Sequence, residues 1–131
     1  MKLLIVDDEV EVVEGMAFYF TLRGHEVLTA QGGDEALALV KARRPQLMLL
    51  DLKMKGLSGF DIMEEVRGAC PEMTTVVITG VSQENLEQEC RRLGAARVIQ
   101  KPVKVDELER IIEWAAARST PPEGGGSARP T

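Results

Sequence analysis

The sequence predicts a single α/β domain of the doubly wound kind, with five parallel strands and five helices in (βα)5 order. Three observations carry that reading. Five short apolar runs recur along the chain. Each is followed by a segment whose apolar residues fall at helical spacing. The runs are nearly continuous rather than alternating, the pattern of strands buried on both faces by crossover helices.

The first run is Lys2–Val6, and Val12, Val13, Met16, Ala17 and Phe20 then mark one face of a first helix. The second run is Glu26–Thr29. The turn Gly32-Gly33 leads into a second helix begun at its cap by Asp34, and Pro45 closes the loop after it. The third run, Leu47–Leu50, precedes a helix marked by Phe60, Ile62, Met63 and Val66. Thr75–Thr79 is the fourth; Leu86, Cys90 and Leu93 line the helix behind it, and Gly94 is placed to end that helix. The fifth, Ala96–Ile99, leads to a stripe of Val105, Leu108, Ile111, Ile112 and Ala115, with Asp106 and Glu107 at the favoured, positive end of the helix dipole. The domain is therefore set at residues 1–118. Residues 119–131 hold three of the six prolines and the run Gly124-Gly125-Gly126, which reads as a flexible tail or linker stub.

Composition excludes several functions. Sixteen basic and 21 acidic residues give a net charge of −5, and no basic stripe exists to bind nucleic acid directly or adhere to anionic membrane. No run approaches the roughly 18 apolar residues of a membrane span, and the start is too short and too soon acidic for a secretory signal. Cys70 and Cys90, far apart, suggest two reduced thiols in a cytoplasmic protein.

Ligands of open parallel sheets bind beyond the carboxyl ends of the strands. There the first run presents Asp7-Asp8-Glu9, the third Asp51, the fourth Thr79-Gly80 and the fifth Lys101-Pro102. Gathered carboxylates repel and call for a cation. Hard oxygen donors without His or Cys favour Mg²⁺, which takes one or two carboxylates along with waters and phosphate oxygens. An ammonium and a hydroxyl beside it suit a transferring phosphoryl group. The residues thus point to a Mg²⁺-assisted phosphoryl site with a carboxylate nucleophile.

Over residues 1–118 this ordered set resembles the response-regulator receiver domain of two-component signalling. The resemblance rests on Asp7-Asp8-Glu9, on Asp51 with Gly59 eight residues on, on Thr79-Gly80 and on Lys101-Pro102. It implies a flavodoxin-like strand order of 2-1-3-4-5. It implies that Asp51 accepts a phosphoryl group from a histidine kinase or a histidine phosphotransfer protein. Asp8, Asp51 and the main-chain carbonyl of Lys53 would bind Mg²⁺, and Asp7 would hold a metal-bound water. Lys101 would pair with the phosphoryl oxygens, Thr79 would move to hydrogen-bond them, and Pro102 resembles a family proline that is often cis. The output partner or domain is not legible. A phosphorylation-linked homodimer through the fourth and fifth helices is a family-based expectation.

The sequence departs from the family pattern at three places. Lys55 stands where a proline is usual. Val98 replaces a frequent aromatic switch residue, so the switch falls to Thr79 and backbone shifts. Lys53 and Val81 occupy positions that tune phosphoryl lifetime, and an ammonium at Lys53 either shields the acyl phosphate or crowds the attacking water. The stretch Gly32-Gly33-Asp34-Glu35-Ala36 looks like a diguanylate cyclase signature, but a turn into a helix explains it better, and the chain lacks room for that catalytic domain. A small aspartyl-phosphate phosphohydrolase would want its two aspartates two apart after one strand, which is not the pattern here. A degenerate receiver that only binds partners is the remaining rival. For docking, Phe18 and Leu22 fall opposite the buried face of the first helix beside Gly15, the helix through which receivers meet a kinase bundle. Trp114 lies off the buried stripe of the last helix, either a flank packing residue or a partner surface. His25 reads as a solvated turn residue.

Overall fold

The apolar runs form strands whose side chains feed two cores, one on each face of the sheet. In the computed structural model, which describes residues 1–52, 59–80 and 84–119, the strands are β1 (Lys2–Val6), β2 (Glu26–Ala30), β3 (Leu47–Leu50), β4 (Thr74–Thr79) and β5 (Arg97–Gln100). All pair in parallel, in the order β2-β1-β3-β4-β5. The helices are α1 (Val10–Leu22), α2 (Gly33–Arg43), α3 (Gly59–Ala69), α4 (Leu86–Arg92) and α5 (Val105–Ser119). The expected flavodoxin-like fold is the one observed. Strand bounds move by one residue in β2, β4 and β5, and α5 runs one residue past the expected domain end. Lys53, Lys55, Val81 and the tail beyond Ser119 lie outside the described residues.

Side chains alternate along each strand. Leu4, Val6, Met48, Leu50 and Val77 pack with Ile62, Met63 and Val66 of α3 and Leu86 and Cys90 of α4. Leu3, Ile5, Leu47, Leu49, Val76 and Ile78 pack with Val13 and Phe20 of α1 and Leu108, Ile111, Ile112 and Ala115 of α5. Burial on both faces is why the runs show no polar alternation. Truncating one of these, Leu4 or Leu50, to Ala would cost about 2–5 kcal/mol.

The helix ends show how the crossovers are closed. After α1, Gly24 at φ +93° donates its N–H to Thr21 O, and His25 N–H to Phe20 O, at 3.0 and 3.1 Å. After α4, Gly94 at φ +111° and Ala95 repeat the pattern onto Arg91 O and Cys90 O at 3.0 and 2.9 Å. Cationic side chains from neighbouring elements bond the last carbonyls of three helices. Lys2 Nζ donates to Arg43 O at 2.8 Å, Arg44 Nη1 to Ala69 O at 3.3 Å and Arg67 Nη1 to Arg92 O at 2.9 Å.

Four expectations about single residues need correction. Val12 and Val105 are exposed rather than buried. Both sit in the first turn of their helices, Val12 beside the buried Val13 and Val105 one turn ahead of the buried Leu108. Asp34 is not a cap: α2 starts at Gly33 with Gly32 before it and no side-chain cap bond. Glu35 instead reaches back to accept the Gln31 N–H at 3.1 Å, and Asp34 lies in the first turn. His25 is half-buried, edge-on to the Phe20 ring at 6.1 Å, with Nδ1 3.3 Å from the amino terminus. Burial first, then the nearby terminal ammonium, lowers its pKa.

Candidate phosphoacceptor site

Asp7, Asp51 and Lys101 each stand one position past the end of a strand, where a main-chain hydrogen bond to the neighbouring strand pins them, and Thr79 is the last residue of β4. Asp7 N–H donates to Ala30 O at 3.1 Å, Asp51 N–H to Val6 O at 3.0 Å and Lys101 N–H to Thr79 O at 2.9 Å. Parallel register aligns Val6 with Leu50, so Asp7 and Asp51 emerge side by side. Register of Thr79 with Gln100 brings Lys101 to the same edge, across a cis peptide bond to Pro102.

Asp7, Asp51 and Thr79 are buried, at 5%, 7% and 0% exposure. Such acids need compensation, because a carboxylate taken out of water loses its solvation. Lys101 supplies it: Nζ donates to Asp51 Oδ2 at 2.9 Å and to Asp7 Oδ2 at 3.1 Å. Burial alone would lower the Lys101 pKa, but hydrogen bonds and charge from Asp51 and Asp7 outweigh it and raise the pKa. Asp7 Oδ1 accepts the Glu9 N–H at 3.0 Å, which fixes its carboxylate at the mouth of α1. Asp8, Glu9, Asp51, Gly80 and Lys101 line an open cleft of about 340 Å³.

Asp7, Asp8, Asp51, Thr79 and Lys101 are thus gathered at one edge. Lys53 lies outside the described residues. Among the described residues no cluster of three or more His, Cys, Asp or Glu is placed to hold a metal ion. The donor set nonetheless fits Mg²⁺ chemically: oxygen only, two buried carboxylates, and an open cleft for the waters this ion keeps. Glu9 completes the acidic triplet, and the sequence reading gives it no role. Its Oε1 stands 3.8 Å from Lys101 Nζ, a position that adjacency to Asp8 would have suggested.

The docking candidates do not belong to this cleft. Phe18 and Leu22 are exposed on α1 at 69% and 70%, and a Cβ on Gly15 would meet nothing within 4 Å. Trp114 is half-buried on α5, flanked by the Arg97 and Arg118 guanidinium groups at 5.3 and 4.8 Å from its ring centre. Val98 is half-buried against the α4 side, where it lines a groove of about 580 Å³ with Leu86, Arg91 and Gln100.

Fold and site define a doubly wound domain with an acid–lysine–threonine set at the carboxyl edge of its sheet. Residues 3–113 match the family model described as response regulator receiver domain. The chain belongs to that family, the receiver domains of two-component signalling. It is 30% identical over 112 residues to sporulation initiation phosphotransferase F of Bacillus subtilis, covering 86% of this chain and 90% of that protein. It is 32% identical over 128 residues to the acid tolerance regulatory protein ActR of Rhizobium meliloti, covering 97% of this chain but 66% of that one. Against response regulator MprA of Mycolicibacterium vanbaalenii it spans 55% of the relative's length. Among solved structures, the receiver domain of NtrX from Brucella abortus superposes with a TM-score of 0.80 at 35% identity, over 88% of this chain and 98% of that one. A CheY-like receiver domain protein from Methanospirillum hungatei gives 0.83 at 28%, over 95% and 98%. No helix among the described residues is long and apolar enough to cross a membrane.

Proposed function

We propose that Asp51 accepts a phosphoryl group from the phosphohistidine of a histidine kinase or histidine phosphotransfer protein, and that the domain passes the resulting change to a partner or output domain. The observation that carries this is Asp51 itself: a buried carboxylate at the end of β3, held by Lys101 and open to a cleft that contains Asp8. An Asp51 oxygen attacks phosphorus in line; the O–P bond forms, the P–N bond breaks, and its electron pair returns to the imidazole. The Lys101 ammonium releases Asp51 Oδ2 and follows the incoming phosphoryl oxygens, still tied to Asp7. Thr79, at the end of β4, donates its hydroxyl to the new group and moves with it, and Val98 and the β5 backbone carry the shift onward. Asp8, Asp51 and the Lys53 carbonyl, with Asp7 through a water, are the groups that would hold Mg²⁺, and the ion would supply positive charge to the transferring group. The domain promotes its own phosphorylation and dephosphorylation and is not a turnover enzyme. Gly15, Phe18 and Leu22 form the donor-docking face, and Trp114 a second partner surface.

The test is acetyl phosphate, or beryllofluoride, with Mg²⁺ on the purified chain, followed by intact mass, Trp114 fluorescence and amide shifts. One phosphate adduct that disappears in Asp51→Asn supports the reading. Absence of both adduct and beryllofluoride response leaves the degenerate receiver, and rapid turnover of a phosphomonoester would indicate the hydrolase. Sedimentation with and without beryllofluoride tests a phosphorylation-linked homodimer; an unchanged monomer counts against it.

A further inference from the structure

Gly59 opens α3 eight residues after the acceptor, and its importance is spatial rather than conformational. Among the described residues the glycines at positive φ are Gly24 and Gly94, and Gly59 is not one of them. A Cβ built on it would lie 2.6 Å from Leu52 Cα, 2.7 Å from Leu52 Cδ2 and 3.3 Å from Leu52 Cβ. The nearest of these is backbone, which has no rotamer by which to yield. The Gly59 N–H also donates to Leu52 O at 3.3 Å. Leu52 is itself fixed, 7% exposed within the core that contains Ile62 and Met63. Asp51, one residue earlier, is tied on its other side to Val6 O. The acceptor is therefore gripped between β1 and the first turn of α3. Gly15 and Gly68, which are also helical, have nothing within 4 Å of a Cβ.

We propose that Gly59 is a positioning residue for the phosphoacceptor: its lack of a side chain lets α3 bear directly on the Leu52 backbone and so fixes the placement of Asp51. Any β-carbon at residue 59 displaces Leu52, and the displacement passes to Asp51 because no flexible segment separates them. A misplacement of about 1 Å is enough to cost on the order of a hundredfold in an aligned group transfer. The effect on rate rests on the reading of Asp51 as acceptor; the effect on geometry does not.

The experiment uses the full chain with Gly59→Ala, Gly68→Ala in the same helix, Ile112→Val as a remote core truncation, and the double variant Gly59→Ala with Leu52→Ala. Adduct formation from acetyl phosphate is followed by intact mass, and hydrogen exchange is followed at the Asp51 amide. Gly59→Ala is expected to slow adduct formation by about tenfold or more and to speed exchange at the Asp51 amide by a similar factor. Gly68→Ala and Ile112→Val are expected to leave both near wild type. Shortening Leu52 in the double variant recovers part of the rate. Wild-type rate and protection in Gly59→Ala, or an equal loss of rate in Ile112→Val, would overturn the proposal. Where Gly59→Ala does not fold, Leu52→Ala alone loosens the same contact, and unchanged exchange at the Asp51 amide then refutes it. If the wild-type chain forms no adduct, the acceptor reading fails, while the exchange measurement still decides the clamp.

Discussion

The Lys101 ammonium donates to Asp51 Oδ2 at 2.9 Å, which sets a cation against a carboxylate that is only 7% exposed. Removing one partner of a buried pair leaves the other uncompensated. Here Lys101→Met would take the ammonium from two buried acids, Asp7 and Asp51, at a loss of about 1–3 kcal/mol by denaturant unfolding without Mg²⁺. Added Mg²⁺ should stabilise the variant more than the wild type, because a divalent cation beside Asp51 replaces the lost charge. Equal responses of the two proteins to Mg²⁺ would contradict this.

The same pair sets an alkaline limit. The Lys101 pKa is raised above its ordinary 10.5, hydrogen bonds and charge from Asp51 and Asp7 outweighing burial. A raised pKa in the folded state contributes stability that is fully present below 10.5 and is lost as pH climbs through the higher folded value. Unfolding midpoints measured from neutral pH upward should therefore converge for wild type and Lys101→Met at the alkaline end. Tyr19 also titrates in that range, but equally in both proteins, so it cancels. Parallel curves would show that the pair adds no pH-dependent stability.

Much of this site is legible because Asp7 and Asp51 directly follow an apolar run, Thr79 ends one, and Lys101 stands two residues past another. A strand buried on both faces has to be apolar throughout, so the first polar residue after it marks the carboxyl edge. Asp7 and Asp51 are read that way, and the structure places both at that edge, with Lys101 beside them after Gln100. Positions set by the ends of helices were harder. Val12 and Val105 fit an apolar period but stay exposed in the first turn of their helices. His25 looked like a turn residue because its partners, Phe20 and the amino terminus, meet only after α1 has closed. The Gly59–Leu52 contact leaves no periodic signal: glycine is read as a turn or a cap, and this one is instead a point of close approach to the Leu52 backbone.

The end of α4 offers a local test of the cationic caps. Arg67 Nη1 bonds Arg92 O at 2.9 Å, and the Arg67 stem passes 3.2 Å from where a Gly94 Cβ would stand. Arg67→Met keeps the stem and removes the donor. The expected cost is about 0.5 kcal/mol, at the low end for a hydrogen bond because the site is exposed. Faster exchange at the Gly94 and Ala95 amides, with α3 unchanged, is the accompanying sign. Unaltered exchange there would mean that the glycine turn alone holds the helix end.

The thiols should be silent in the folded protein. Cys70 and Cys90 are free and buried at 2% and 0% exposure, and burial is the leading cause that raises both thiol pKa values. Thiolate is the reactive form, so both access and ionisation oppose modification. A thiol reagent at neutral pH should react only at the rate of unfolding, and with two equivalents once denaturant is added. Rapid labelling of either cysteine in the native protein would show local opening of the α3–α4 side.

The face of α1 that carries Gly15, Phe18 and Leu22 separates docking from chemistry. A methyl at residue 15 meets nothing within 4 Å, so Gly15→Ala should gain about 0.5–1 kcal/mol from lower unfolded-chain entropy. Phe18 and Leu22 are 69% and 70% exposed, so their truncation to Ala should change stability by no more than about 0.5 kcal/mol. None of the three touches the Asp51 cleft, so phosphorylation by acetyl phosphate should proceed at the wild-type rate in all of the variants. Transfer from a histidine donor should fall, because the extra methyl obstructs an approaching helix and the lost side chains remove its apolar contacts; a drop of about tenfold is expected for Phe18→Ala if that ring is buried at the centre of the contact. Comparison of the two donors makes the result unambiguous. Equal rates from both in every variant would remove α1 as the docking face, and equal losses from both would place these residues in the chemistry instead.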